Sequence, residues 1–333
     1  MYYWREYYTK ITGLDFLLTY RCTAECKHCS YRASPNRKGV IEVKDANNYL
    51  KQIVSISDLK GITVHGGEPF LYYEGLKEII KKAKNLKIPA RGVITNSYWA
   101  TSEKKTREML EELKKVGLNQ ITLSGDSFHQ EFIPVANIKR SIKIAAEIGI
   151  REIWVDSYYL EGKEEINSYN TRTNEILAEL YRMKNLVNVE FNAYPLSFTG
   201  RASTLTNNAK KMKTEDLTEC NLPYWIGGSL ADPETIEIDC EGNVTLCPGI
   251  SIGNAKKESI IEILENYDVY AHPILSRLHE GGLLNLLELA EEKGFVKEKY
   301  YMDNCHFCYE MRKFLRPFYQ DYLSPMGCYY GIF

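Results

Sequence analysis

The chain has 333 residues, 44% hydrophobic and 26% charged, with a formal net charge of -2; that length and balance bury one large core or two moderate ones and exclude a disordered or fibrous protein. No run approaches the roughly 18 apolar residues of a membrane helix, the N-terminus MYYWREYYTK has no basic or apolar signal region, and interspersed Lys and Glu give no basic field for nucleic acid. The expectation is therefore a cytoplasmic protein with neither membrane nor nucleic-acid partner. Nine cysteines, an odd count without a signal peptide, point to metal ligands, redox groups or catalytic groups rather than disulfides.

Apolar, β-branched runs at 14–19, 62–65, 91–95, 120–124, 152–158 and 189–194 predict six strands. Helical spacing fills the intervals. Leu76, Ile79, Ile80 and Ala83 share one face, as do Ile138, Ile142 and Ala145, and Ile176, Leu180, Met183 and Val187 close the series. Strand alternating with helix under right-handed crossovers predicts six strands and six helices in an α/β fold, a partial (β/α)6 TIM-like barrel. The polar stretch Arg201 to Asp216 breaks this rhythm. Beyond it, Thr235 to Asp239 and Val244 to Leu246 flank Glu241-Gly242-Asn243 as a β-hairpin, Gly281-Gly282 reads as a helix end, and Met311, Leu315, Phe318 and Tyr322 give a last helix its apolar face. The expected division is an N-terminal extension (1–13), a barrel (14–202), a linker (203–218) and a smaller C-terminal α+β region (219–333).

The sharpest chemical signal is Cys22-Thr-Ala-Glu-Cys26-Lys-His-Cys29, just after the first strand. Three thiolates in eight residues can wrap one corner of a metal cluster and leave one coordination position for something else. A zinc ion completed by His28 or a distant residue is the plainer alternative. The second strand ends in His65-Gly66-Gly67-Glu68-Pro69, where paired glycines permit close backbone approach and Glu68 could accept from an ammonium group. The third ends in Thr95-Asn96-Ser97 and the fourth in Ser124-Gly125-Asp126-Ser127. Each alone reads as capping. In a (β/α) barrel, however, strand C-termini form one rim where active sites sit, so the four motifs converge on one cavity. His129 and Asp156 could touch substrate there, although local hydrogen bonding explains them equally well.

CTAECKHC followed by VHGGEP, ITNS and LSGDS resembles the radical S-adenosylmethionine enzymes, over residues 14 to 202 and including the Gly200-Arg201-Ala202 turn. The resemblance implies that Cys22, Cys26 and Cys29 hold a 4Fe-4S cluster that binds S-adenosylmethionine through its amino and carboxylate groups. It also implies that Gly66, Gly67, Glu68 and Pro69 receive the methionine amino group, and that Asn96, Ser124 and Asp126 lie near the ribose or carboxylate. Many relatives carry an aromatic residue where this chain has His28, a departure that could tune the cluster through a hydrogen bond.

In the C-terminal region, Cys247 follows the hairpin and Cys305-His-Phe-Cys308 is a CxxC pair; with Cys220 they make four thiolates that a fold could bring together. The region is similar to the auxiliary-cluster segment called twitch, which implies one further 4Fe-4S cluster. The longer SPASM pattern needs a cysteine where Phe314 stands. Cys240 competes with Cys220 for the fourth ligand position, and a structural zinc is the alternative occupant. Cys328 remains as a buried small residue or, alternatively, a hydrogen-atom donor.

The resemblance further implies an enzyme in which reductive cleavage of S-adenosylmethionine yields a 5'-deoxyadenosyl radical that removes a substrate hydrogen atom, with a flavodoxin- or ferredoxin-type reductant. A peptide or protein substrate is favoured, modified by epimerisation, crosslinking or oxidation and held without a separate leader-binding domain. The alternatives are a small-molecule dehydrogenase or mutase and, from another class, a non-catalytic iron-sulphur carrier or sensor.

Overall fold

The structure is a computed structural model that describes residues 10–183, 189–205, 210–220, 222 and 226–331. Six strands, β1 (Gly13–Thr19), β2 (Gly61–Gly66), β3 (Ala90–Thr95), β4 (Gln120–Ser124), β5 (Glu152–Tyr159) and β6 (Glu190–Pro195), lie side by side in chain order, each parallel to the next. Helices α1 (Val43–Ile56), α2 (Tyr73–Asn85), α3 (Glu103–Val116), α4 (Ser127–Gln130), α5 (Val135–Glu147) and α6 (Ser168–Tyr181) make the crossovers. This is the partial barrel expected from the alternating pattern.

Strand residues alternate between two environments. Phe16, Val64, Val93, Ile121, Leu123 and Val155 are buried under the helices. The other face is polar and half-buried, with Asp15, Thr63, His65, Thr122, Asp156 and Asn192. Each long helix meets this core with a buried stripe, in α2 formed by Leu76, Ile79, Ile80 and Ala83. Local signals set the helix ends: Ser102 caps α3 by accepting from the Lys105 amide at 3.3 Å, and Gly117, at φ +124°, ends it.

Three sequence expectations need correction. Six helices accompany six strands, but two of them, α4 and α5, share one crossover, and β6 runs instead into a 3-10 turn at Gly200–Thr204. The α6 stripe stops at Leu180, because the helix ends at Tyr181; Met183 lies past it and Val187 lies outside the described residues. The apolar face attributed to the last helix is also too long, since Pro317 follows and favours an exit from the helix. Met311 and Leu315 are buried, whereas Phe318 and Tyr322 are beyond the helix and exposed.

After β7 (Met212–Lys213), the hairpin β8 (Thr235–Asp239) and β9 (Asn243–Cys247) continues into β10 (Ile250–Asn254). These strands do not form a sheet of their own. β8 pairs in parallel with β1, Leu14 opposite Ile236, so one nine-stranded sheet runs β10-β9-β8-β1-β2-β3-β4-β5-β6. Helices α7 (Ile260–Glu265) and α8 (Leu275–Glu292), strand β11 (Tyr300–Tyr301), which pairs with β7, and helices α9 (Asn304–Leu315) and α10 (Gly327–Tyr330) complete the chain. α8 breaks at Gly281-Gly282, where Gly282 has φ +62° and the Leu283 amide donates to Thr218 O at 2.9 Å. That break lets the backbone before Cys220 dock against the helix.

Candidate active site

The three-cysteine loop leaves β1 and is clamped from two sides. Gly66 has φ +141°, and a Cβ there would fall 2.5 Å from Thr19 O. A Cβ on Gly67 would collide with the Arg21 carbonyl and lie 3.0 Å from the Cys22 amide nitrogen. The glycine pair thus allows the end of β2 to press against the chain entering Cys22. The contact is fastened by the Gly67 amide on Thr19 O (2.6 Å) and the Glu68 amide on Arg21 O (2.9 Å). From the other side, Arg201 donates through Nη1 to Cys26 O (2.6 Å) and Nη2 to Ala33 O (2.7 Å), while its amide donates to Cys29 O at 2.9 Å. Sequence reading noted this turn but missed the guanidinium as a loop clamp; its signal was a lone Arg beside a glycine after the last barrel strand.

Glu68 has a different place from the one its motif suggested. It is fully buried. Its Oε1 accepts from the Phe70 amide (3.1 Å) and the Thr95 hydroxyl (2.8 Å), and its Oε2 accepts from the Asn96 amide (2.9 Å). It is therefore a strut between the ends of β2 and β3, and burial raises its carboxyl to about 7. Asn96 turns toward the cysteine loop, with Nδ2 3.6 Å from Cys22 Sγ and 3.2 Å from Thr23 Oγ1. Pro69 is buried at the start of the following 3-10 turn. Ser124 is half-buried, and its carbonyl accepts from Gln130 Nε2 at 3.4 Å.

Asp126 caps α4 by accepting from the His129 amide at 3.0 Å, and its two oxygens lie 3.0 and 2.9 Å from His129 Nδ1. Burial acts to raise Asp126, but the charge and hydrogen bonds of His129 outweigh it and hold the carboxyl near about 2. His28 is buried against the same pair, its ring 4.8 Å from Phe128 and 4.7 Å from His129. Burial pushes His28 down to about 3, so it is neutral at pH 7. Asp156 accepts from Asn192 Nδ2 at 2.9 Å on the half-buried sheet face. These strand-end residues do gather at one rim.

The thiol environment is strongly apolar. Burial pushes Cys22 up to about 12, with the Glu68 charge adding to it, and lifts Cys26 well above an ordinary thiol. Ligation would therefore release protons. Among the described residues, the grouping of three His, Cys, Asp or Glu ligand atoms within 4.8 Å of one another is His28, Asp126 and His129.

A second, small recess is lined by Cys220, Cys247, Cys305 and Cys308 together with the buried Arg312. Burial, with Cys308 adding to it, raises Cys220 to about 12; burial raises Cys247 to about 11 against the opposing charge of Arg312. Ser30, the residue after Cys29, lines this recess too, so the two cysteine groups share a wall. Cys240 sits elsewhere, at the hairpin turn beside Gly39, with Asp239, Glu241 and Lys256 as its charged neighbours. Cys328 is 1% exposed, among Asp239, Glu237, Arg37 and Cys29. Sequence reading missed the polar junction beneath the loop, where Glu237 meets Tyr31 OH (2.5 Å), His65 Nε2 (3.1 Å) and Thr245 Oγ1 (3.1 Å). Pairing of β8 with β1 creates that junction, and no local motif encodes that long-range pairing.

No helix among the described residues is long and apolar enough to cross a membrane. The chain is 25% identical over 292 residues to the Bacillus subtilis strain 168 protein named "Putative peptide biosynthesis protein YydG", covering 87% of this chain and 83% of that one. It is 24% identical over 183 residues to GTP 3',8-cyclase of Clostridium botulinum strain Hall, covering 50% of this chain and 54% of the cyclase. Among solved structures, Streptococcus suis SuiB bound to precursor peptide SuiA aligns with TM-score 0.48 and 16% identity, over 89% of this chain and 75% of SuiB. With SuiB bound to S-adenosylmethionine the TM-score is 0.43 at 16% identity, over 76% of this chain and 65% of that one, so the chain spans just under two thirds of that structure. Residues 16–167, a segment that includes Cys22, Cys26 and Cys29, match the sequence profile of the Radical SAM superfamily.

Proposed function

We propose that this chain is a radical SAM enzyme that modifies a peptide, and that it carries a 4Fe-4S cluster on Cys22, Cys26 and Cys29 and an auxiliary one on Cys220, Cys247, Cys305 and Cys308. The observation that carries the peptide reading is the alignment with the Bacillus subtilis peptide biosynthesis protein, which extends over 87% of the chain and is not confined to the barrel. Held by Cys22, Cys26 and Cys29, a 4Fe-4S cluster with S-adenosylmethionine would supply the radical chemistry for hydrogen-atom abstraction.

The chain's own residues position and enclose. Gly66, Gly67 and Arg201 fix the cysteine loop against the barrel rim. Asn96 donates toward Cys22, and Ser124, Asp126 and the neutral His28 offer a polar and aromatic wall on which an adenosyl group can be oriented. The half-buried Asp15, His65, Asp156 and Asn192 on the open sheet face supply donors and acceptors for a peptide backbone held along it. Cys240 and Cys328 have no ligand role in this reading.

The test is to incubate the anaerobically reconstituted protein with S-adenosylmethionine, dithionite and the peptides encoded beside its gene, in heavy water. Formation of 5'-deoxyadenosine with a peptide mass change of -2, or with one deuterium gained, supports the reading and separates crosslinking or oxidation from epimerisation. Cleavage of S-adenosylmethionine with every peptide unchanged, and with turnover of a small metabolite instead, overturns the peptide assignment. No cleavage at all returns the chain to the non-catalytic class.

A further inference from the structure

Arg312 on α9 is 1% exposed. A guanidinium stays charged, and burying a charge is costly unless an opposite charge meets it. Among the described residues, Arg312 has no carboxylate within ion-pair distance. Its Nη1 donates to Pro248 O at 2.9 Å and lies 3.2 Å from Tyr329 OH; both partners are neutral. Its Nε has no hydrogen-bond partner. Besides the Tyr329 ring, 5.8 Å from its Cζ, its charged-group neighbours are sulphurs: Cys308 and Cys247 interact with it electrostatically, and the guanidinium lines the four-cysteine recess. Four neutral thiols leave this cation uncompensated. Four thiolates around a 4Fe-4S cube carry a net negative charge that balances it, and an unpaired N–H at the wall of the recess matches the sulphur acceptors of such a cube.

We propose that Arg312 is the counter-charge and sulphur-directed hydrogen-bond donor of the auxiliary cluster, and that it raises the cluster's reduction potential. The inference rests on the auxiliary-cluster reading above. One-electron reduction adds a negative charge to the cube, and a fixed buried cation stabilises that reduced state more than the oxidised one. Arg312 is thus a positioning residue that acts through the cluster.

The test uses the full chain with Cys22→Ala, Cys26→Ala and Cys29→Ala, so that any remaining iron belongs to the auxiliary site. Iron and sulphide are counted, and the midpoint potential is read by EPR-monitored redox titration for Arg312, Arg312→Lys and Arg312→Gln. Arg312→Gln should shift the titration negative by at least a tenfold change in the oxidised-to-reduced ratio, about 59 mV for one electron. Arg312→Lys should retain most of the original potential. If Arg312→Gln loses its iron while Arg312→Lys keeps it, the charge is still the feature the cluster needs. Full iron with an unmoved potential in Arg312→Gln overturns the inference and leaves the cluster standing. Loss of iron from both variants while they remain folded by circular dichroism makes Arg312 a packing residue and also overturns it. Absence of iron in the Arg312 parent removes the auxiliary cluster, and the inference with it.

Discussion

Replacing Gly67 by alanine tests whether the glycine pair exists to hold the cysteine loop. The new Cβ would overlap the Arg21 carbonyl and stand 3.0 Å from the Cys22 amide nitrogen, both of them backbone atoms that cannot swing aside as a side chain can. Restoring ordinary contact requires the carbonyl to retreat by roughly 1 Å, which also stretches the 2.9 Å hydrogen bond from the Glu68 amide to Arg21 O. Overpacking of this kind costs about 1–3 kcal/mol. Ligand geometry has to hold within about 0.5 Å, so the larger effect falls on the metal. Gly75→Ala is the matched control: its Cβ would meet only Val43 Cγ2, at 3.8 Å, inside α2, where alanine gains about 0.5–1 kcal/mol over glycine. Urea denaturation and iron content, measured side by side, should show Gly67→Ala destabilised and depleted of the Cys22/Cys26/Cys29 iron, with Gly75→Ala at least as stable as the parent and fully loaded. A Gly67→Ala protein with parental stability and full iron would refute the reasoning.

Three further outcomes follow from named contacts. Cys240→Ser should keep the parental iron content, because Cys240 lies at the hairpin turn, whereas Cys220→Ser should lose iron from the auxiliary site; colorimetric iron on the two variants checks the pair. Arg201→Ala removes two short guanidinium bonds and strands the carbonyls of Cys26 and Ala33, a loss of about 2–4 kcal/mol. Hydrogen exchange should then accelerate across 22–33, and Arg201→Lys should not restore protection, because one ammonium replaces a fork. Burial raises Asp15 to about 6 from an ordinary 3.8, so the folded chain binds that proton more tightly than the unfolded one and stability falls as pH rises through the folded value. Asp15→Asn should therefore gain on the parent by about 1–2 kcal/mol between pH 5 and pH 8 in denaturation midpoints.

Short-range signals were readable in the sequence and long-range pairings were not. β1 to β6 follow from alternation and spacing, and the three-cysteine loop, the glycine pair and the polar strand ends follow from motifs tied to those strands. The gathering of Cys220 with Cys247, Cys305 and Cys308 depends on the kink at Gly281-Gly282 and on the docking of β8 against β1, and neither local composition nor periodicity encodes that docking. For the same reason local sequence does not separate Cys220 from Cys240, whereas in the fold Cys220 lines the recess and Cys240 sits at the hairpin turn. Glu68 carries a further lesson. In the motif it reads as a ligand-facing carboxylate, yet three donors from neighbouring strand ends claim it, because a buried acceptor takes whichever N–H groups the fold leaves unpaired.

Iron and sulphide per chain after anaerobic reconstitution bear most directly on the account, measured for the parent, for the Cys22→Ala/Cys26→Ala/Cys29→Ala protein and for the Cys220→Ala/Cys247→Ala/Cys305→Ala/Cys308→Ala protein. Two cubes predict about eight irons in the parent and about four in each variant. About four in the parent with none in the first variant would contradict the auxiliary cluster, and stoichiometric zinc without iron would contradict the account as a whole.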